Sequence, residues 1–127
     1  MSLFQLKDFI MHSGKPGWFK IECDYLTDMD WVTLATIIVS RFPYFGSVVG
    51  VPTGGLKLES ALRPYITKGS QLIVDDVLTT GKSMEEQREF QKNTYGIESQ
   101  IGVVVFARTR PAGWIYPVFQ MWGDEAE

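Results

Sequence analysis

The second half of the chain contains short apolar runs separated by segments with helical spacing. Three runs, at residues 47–51, 71–77 and 101–106, are bounded by glycine, proline or polar residues, and a fourth covers residues 114–121. Strands that are buried on both faces of a sheet have this continuous apolar character, whereas half-exposed strands alternate. The pattern therefore predicts four strands of one sheet.

Between these runs, apolar residues recur at the spacing of a helix. Leu58, Ala61, Leu62 and Tyr65 predict a helix that begins at about Gly55, and a further helix is predicted over residues 81–95. A chain that alternates strands and helices forms a parallel sheet covered by helices. We therefore expect an α/β fold, with an open, mostly parallel sheet and helices on both of its faces.

The N-terminal part of the chain predicts two more helices and a strand. Ser2 and Gln5 resemble a capping box, which predicts a short first helix. Its apolar face would consist of Leu3, Leu6 and Ile10. A strand is predicted over residues 18–23, and Thr27 with Asp30 forms a second capping box before a longer helix. The buried face of that helix would consist of Trp31, Leu34, Ala35, Ile38 and Phe42.

Composition and charge narrow the class of protein. The chain has 127 residues, of which 45% are hydrophobic, so we expect a single domain over residues 1–127. The formal net charge of −3 gives no sign of a nucleic-acid groove or a basic membrane patch. Cys23 is the one cysteine, and no apolar run reaches membrane-spanning length. The expected compartment is the cytoplasm, with no nucleic acid and no membrane among the partners.

Residues 72–83 carry the candidate chemistry. The predicted strand ends in Asp75 and Asp76, and a loop of small residues then leads into a helix. That loop consists of Thr79, Thr80, Gly81, Lys82 and Ser83. Backbone N–H groups, three hydroxyls and the positive end of a helix suit a phosphate. The two carboxylates suit sugar hydroxyls, because a charged acceptor strengthens a hydrogen bond.

This segment has two other interpretations. Two acids after a strand can simply cap the next turn, although the added Thr-Thr-Gly-Lys-Ser run argues against that. The end of the segment, Gly81-Lys82-Ser83, also resembles a nucleotide-binding P-loop. A P-loop has glycine five positions before Gly81, and this chain has Asp76 there, so we reject the P-loop.

A glycine-rich turn precedes the predicted helix at residue 55. Thr53, Gly54 and Gly55 follow the first strand of the sheet, and two glycines allow a backbone to approach an anion closely. Strand-to-helix turns also use glycine for geometry alone. Its position one strand-helix unit before Asp75 favours a second anion-binding loop.

Residues 72–83 resemble the signature of the type I phosphoribosyltransferases, which bind phosphoribosyl pyrophosphate. The resemblance implies that Asp75 and Asp76 hold the ribose hydroxyls and that Thr79, Thr80, Gly81, Lys82 and Ser83 hold the 5-phosphate. It also implies that Thr53, Gly54 and Gly55 bind pyrophosphate, although relatives often have a basic residue where Thr53 stands. Mg²⁺ would be the cofactor, held through substrate oxygens with no direct protein ligand.

The N-terminal segment extends the resemblance to orotate phosphoribosyltransferases. Residues 11–15 and 18–21 are similar to a turn and an aromatic strand that form a hood over the base in that family. The resemblance implies base contacts from His12, Lys20 and Arg108. Hood elements would cover about residues 1–26 and 108–122, and the core about residues 27–107. A homodimer is compatible with this resemblance.

The chain departs from the family between the glycine turn and Asp75. Orotate-type enzymes place two strands and a long mobile loop with basic residues there, whereas residues 57–70 leave room only for a helix and a turn. One hypothesis is an enzyme that transfers the phosphoribosyl group to a nitrogenous base, with an orotate-like pyrimidine favoured, and releases pyrophosphate. The other is a sensor that binds phosphoribosyl pyrophosphate or a nucleotide without turnover.

Overall fold

A four-stranded parallel sheet forms the centre of the fold. The computed structural model describes residues 4–10, 16–21 and 23–121 of the chain. The main sheet has the order β3-β4-β5-β6, and all three strand pairs are parallel. Its strands are β3 (Ser47–Gly50), β4 (Gln71–Leu78), β5 (Gln100–Ala107) and β6 (Ile115–Gln120). The four strands expected from the apolar runs are confirmed.

Three α-helices accompany the sheet. They are α1 (Asp28–Arg41), α2 (Leu56–Leu62) and α3 (Lys82–Tyr95), and short 3₁₀ turns cover Cys23–Tyr25 and Arg63–Tyr65. The capping box at the start of α1 is present, because the Thr27 side chain accepts from Asp30 N and the Asp30 side chain accepts from Thr27 N. None of the helices in the described part of the chain is long and apolar enough to cross a membrane.

The expected N-terminal helix is wrong. Residues Phe4–Ile10 form strand β1, which pairs antiparallel with β2 (Pro16–Ile21) in a separate two-stranded sheet. The helical spacing of Leu3, Leu6 and Ile10 competes with an alternating pattern that begins at Phe4. Pairing with β2 supplies cross-strand hydrogen bonds, whereas a helix this short is marginal without tertiary packing. The predicted strand after residue 18 is present as β2.

Helices cover both faces of the main sheet, as expected. Leu72 and Val74 of β4 pack on one face with buried residues of α1 and α2, such as Ile38 and Leu62. Ile73, between them in sequence, packs on the other face. The second cluster also contains Val51, Leu78, Met84, Val104, Ala107 and Ile115. Helix α3 therefore lies on the face opposite α1 and α2.

Because of this placement, the crossovers β3-α2-β4 and β4-α3-β5 have opposite handedness. Strands β3, β4 and β5 lie side by side in chain order, so two right-handed crossovers would place α2 and α3 on the same face. Because the two helices lie on opposite faces, one of the crossovers has the rare left hand.

The connection from β5 to β6 contains no helix. Residues 108–114 return along the sheet, and Ile115 lies beside Gly102. Parallel strands usually need a dozen or more residues for such a crossover. Trp114 packs over Gly102, since a Cβ on Gly102 would lie 2.7 Å from the indole. We call residues 108–114 the strap.

Candidate functional site

The site predicted from the sequence lies where β4 ends. Asp75 and Asp76 are near the carboxyl end of β4, and the phosphate loop, residues 79–83, leads into α3. Gly81 has a φ of 88°, which only glycine adopts readily, and it occupies the N-cap position. A pocket of about 40 Å³ lies against this turn. It is lined by Asp75, Val77, Leu78, Thr79, Thr80, Gly81, Ser83 and Met84.

The first turn of α3 presents backbone donors at this pocket. No side chain caps the helix, and the first helical hydrogen bond runs from Glu85 N to Gly81 O at 3.0 Å. Lys82 N donates to the Thr80 hydroxyl at 3.3 Å. The amides of Ser83 and Met84 precede the first helical bond and have no intrahelical partner. Together with the positive end of the helix dipole, these amides suit an anion.

Asp75 is buried beside this pocket. Only 8% of the residue is exposed, and its Oδ1 accepts a hydrogen bond from Asp76 N at 2.8 Å. The pKa of Asp75 is raised from 3.8 to about 8, mainly by burial and also by the hydrogen bond and charge of the Asp76 side chain, while the backbone hydrogen bond from Asp76 lowers it. At neutral pH the carboxyl is therefore held largely protonated, so it can donate a hydrogen bond to a sugar hydroxyl as well as accept one.

Asp76 faces the glycine turn. Its Oδ1 accepts from Val77 N at 2.7 Å. A Cβ built on Gly54 would lie 2.5 Å from the same oxygen, so the Asp76 carboxylate occupies the space that a larger residue at position 54 would need. Neighbouring residues of a strand point to opposite faces, and the two acids accordingly contact different loops. Asp75 borders the phosphate loop, and Asp76 borders the turn at Gly54.

The glycine turn is packed against the ends of β3 and β4. Val51 N donates to Val74 O at 2.9 Å, and Gly55 N donates to Val51 O at 2.8 Å. A Cβ on Gly55 would lie 2.6 Å from Val51 N, so this glycine serves close backbone packing. The Pro52-Thr53 peptide bond is cis, and Thr53 is exposed. The turn therefore sits at the same sheet edge as the two acids.

The start of the strap borders the phosphate loop. Arg108 N donates to Leu78 O at 2.9 Å, and the Thr109 hydroxyl donates to Thr79 O. Partial burial lowers the pKa of the Arg108 guanidinium from its ordinary value, and a guanidinium remains charged at physiological pH. Thr109 was not singled out in the sequence, because a threonine after a strand carries no signal of its own.

The far end of the strap is fixed to α3. Trp114 Nε1 donates to Glu85 Oε2 at 2.6 Å, and the Arg88 guanidinium lies 4.6 Å from the centre of the Trp114 ring. Arg88 also lies 3.7 Å from Glu85 Oε1. The sequence gives no sign of this contact, because Glu85 and Trp114 are distant along the chain. The contact explains why Trp114 is only partly exposed.

The structure brings most of the predicted residues to one edge. The acids, the phosphate loop, the glycine turn and Arg108 all follow the carboxyl ends of β3, β4 and β5. Ligands of open α/β sheets bind outside these ends. Lys20 lies in β2, where it pairs with Gln5, and its side chain lies outside the described part of the structure. His12 lies outside the described residues.

Known structures share this fold. The sequence matches no known protein family and no curated protein. The orotate phosphoribosyltransferase from Aeropyrum pernix matches with a TM-score of 0.77 and 20% identity, over 94% of this chain and 89% of its own. The Mycobacterium tuberculosis orotate phosphoribosyltransferase in complex with inorganic phosphate matches with a TM-score of 0.66 and 12% identity, over 92% and 88%.

A purine enzyme has a more distant likeness. The Helicobacter pylori xanthine-guanine-hypoxanthine phosphoribosyltransferase matches with a TM-score of 0.52 and 14% identity, over 74% of this chain and 84% of its own. The expected resemblance is confirmed at the level of the fold, which is that of type I phosphoribosyltransferases of the orotate kind.

Proposed function

We propose that this protein binds phosphoribosyl pyrophosphate at the carboxyl end of β4 and transfers its phosphoribosyl group to a nitrogenous base. The observation that supports the proposal most is the arrangement of three features at the carboxyl end of β4. Two acids of different surroundings are followed by an uncapped helix N-terminus with a small pocket. The likeness in fold to the orotate phosphoribosyltransferase from Aeropyrum pernix also supports the proposal.

Each part of the site has a proposed role. Amides and hydroxyls of the phosphate loop hold the 5-phosphate, with Lys82 adding positive charge. Asp75 and Asp76 hold the two ribose hydroxyls. Thr53, Gly54 and Gly55 receive the pyrophosphate, because the turn at Gly54 touches Asp76 on the side away from the phosphate loop. The substrate would therefore lie across the end of β4.

The reaction would replace one bond to the sugar by another. The bond between ribose C1 and the pyrophosphate oxygen breaks, a base nitrogen bonds to C1, and the base proton goes to solvent. We assign no catalytic acid or base, because pyrophosphate leaves without needing a proton from the protein at neutral pH. The base would lie on the β5 side of the site near Arg108, opposite the departing pyrophosphate, and His12 and Lys20 are the further proposed contacts.

Mg²⁺ is the proposed cofactor. The described part of the chain contains no cluster of three or more His, Cys, Asp or Glu side chains arranged to hold a metal. Oxygens of the substrate's pyrophosphate and ribose would hold the ion, with no direct protein ligand, as is usual for Mg²⁺ with phosphate ligands. When bound, the ion would neutralise charge on the leaving pyrophosphate.

A second candidate function is a sensor that binds the same ligand without turnover. It is favoured by the connection from α2 to β4, where α2 ends at Leu62 and β4 begins at Gln71 after one 3₁₀ turn. In enzymes of this fold, cations that close over the leaving group would supply a large part of the catalysis. For the enzyme we propose an orotate-like pyrimidine as the favoured base. For both candidates we propose the cytoplasm as the compartment and a homodimer as the assembly.

Substitution of Asp76 tests the ligand. Asp76→Asn should weaken binding of phosphoribosyl pyrophosphate about 5- to 100-fold, since a charged acceptor of a sugar hydroxyl becomes neutral. Isothermal titration in the presence of Mg²⁺ measures it. Glu98→Gln makes the same charge change before β5, at the opposite edge of the sheet, and should bind as the wild type does. Equal affinities for Asp76→Asn and wild type would exclude a ribose role for Asp76.

A further inference from the structure

The phosphate loop has few hydrogen bonds that hold its shape. The last backbone hydrogen bond at the end of β4 runs from Arg108 N to Leu78 O, and the first of α3 begins at Glu85 N. Between them, the hydrogen bonds of the loop involve side-chain hydroxyls. One of these bonds is internal, from Lys82 N to the Thr80 hydroxyl. Among the residues that the structure describes, the Thr109 hydroxyl is the one group outside the loop and α3 that donates a hydrogen bond to residues 79–81.

The strap that carries Thr109 is itself anchored at both ends. Its first residue follows β5 and donates its backbone N–H to Leu78. At its last residue, the Trp114 indole donates to Glu85 and lies under Arg88. Pro111 restricts the backbone between these anchors, and Ile115 N closes a turn by donating to Ala112 O at 3.0 Å. Thr109 therefore projects from a fixed segment.

The strap contacts both sides of the phosphate loop, through Thr109 and through Trp114. Thr79 opens the phosphate loop, and Glu85 is in the first turn of α3, directly after the amides of Ser83 and Met84. A strap joined to both sides of these amides limits how far they can turn away from the pocket. Donors held in place before binding raise affinity, because less ordering is left to the ligand.

We infer that Thr109 is a positioning residue for the phosphate loop, and that the strap keeps the loop amides oriented toward the phosphate before ligand binds. The inference rests on the proposed function, since it concerns the same 5-phosphate site. Thr109 itself touches Thr79 and is assigned no contact with the ligand. Substitution of Thr109 is therefore expected to lower the affinity for the 5-phosphate indirectly, by changing the orientation of the phosphate-loop amides.

The test removes one hydroxyl and keeps the shape of the side chain. Thr109→Val should lower the affinity for ribose 5-phosphate about three- to tenfold, the range expected for one hydrogen bond. Thr109→Ser restores the donor and should bind within about twofold of wild type. Thr33→Val is the matched control, because Thr33 is exposed and its hydroxyl donates to a backbone carbonyl, Met29 O, within α1.

Amide hydrogen exchange without ligand gives a second measurement. In Thr109→Val the amides of residues 81–84 should exchange faster than in wild type, while those of β5 keep their rates. Unchanged exchange at residues 81–84, or unchanged affinity in Thr109→Val, would overturn the positioning role alone. Failure of the wild type to bind ribose 5-phosphate, with faster exchange still seen in Thr109→Val, would instead overturn the proposed phosphate site. An equal loss of affinity in Thr33→Val would also overturn the inference.

Discussion

Asp75 and Asp76 are adjacent in sequence but have different surroundings. Asp75 is buried beside the phosphate loop, and Asp76 is half-buried against Gly54. The sequence predicts the pair and its place at a strand end. It does not predict which loop each acid meets, because that depends on where β3 and its turn lie in space. The contacts of Thr109 with Thr79 and of Trp114 with Glu85 are not predicted for the same reason, since these partners are distant along the chain.

The raised pKa of Asp75 predicts how stability depends on pH. Its pKa moves from 3.8 to about 8 on folding, so the native state holds a proton that the unfolded state has lost over that interval. The free energy of unfolding should therefore fall as pH rises from about 4 to about 8. Asp75→Asn cannot lose a proton, so we expect it to be more stable than wild type by about 1 to 3 kcal/mol at about pH 8.

Urea unfolding across this pH range measures the effect. The difference between Asp75→Asn and wild type should shrink toward zero at about pH 4, where both side chains are neutral. Glu98→Gln, the same change at an exposed residue, should leave the pH dependence as it is. A constant difference between Asp75→Asn and wild type at every pH would contradict the raised pKa.

The elements of the main sheet were predictable because each carries a complete local signal. Continuous apolar runs gave β3, β4 and β5, and a capping box gave the start of α1. Strand β1 was mistaken for a helix, since its pattern fits both periods and only pairing with β2 decides between them. The opposite hands of the two crossovers could not be foreseen, because no local pattern reports the face on which a helix packs.

Residues 57–70 are predicted to hold a helix and a tight turn, and this is confirmed. Helix α2 and the 3₁₀ turn Arg63–Tyr65 occupy most of this segment, and no additional strand lies between Leu62 and Gln71. Gly46 N donates to Ser70 O at 2.9 Å, and Thr67 N donates to Phe45 O at 2.8 Å, so the turn is tied to the sheet. Residues 66–70 are too few to extend over the site and return, at about 3.6 Å per residue.

The short connection predicts slow turnover. Without a closing loop, water reaches the pyrophosphate and screens the charges that would stabilise its departure. We expect pyrophosphate release, assayed with Mg²⁺ and a panel of pyrimidine and purine bases, at well below about 1 per second on every base. A rate within the ordinary enzyme range on any base would show that another group replaces the loop, and it would exclude the sensor.

At the scale of the whole molecule, most of the residues that the proposal uses lie at one edge of the main sheet. Strand ends β3, β4 and β5 carry the glycine turn, the two acids with the phosphate loop, and Arg108 in that order across the sheet. The strap then fixes the phosphate loop from outside. The likeness in fold to the orotate phosphoribosyltransferase from Aeropyrum pernix covers 94% of the chain.

Titration of the isotopically labelled protein with ribose 5-phosphate tests this account most directly, because NMR reports each backbone amide separately. The 5-phosphate should shift the amides of residues 79–84 most, and the sugar should shift those of Asp75, Asp76 and Val77. Inorganic phosphate alone should shift only the first group. If ribose 5-phosphate leaves residues 79–84 unshifted, or shifts another surface of the molecule more strongly, then the end of β4 is not a phosphoribosyl site.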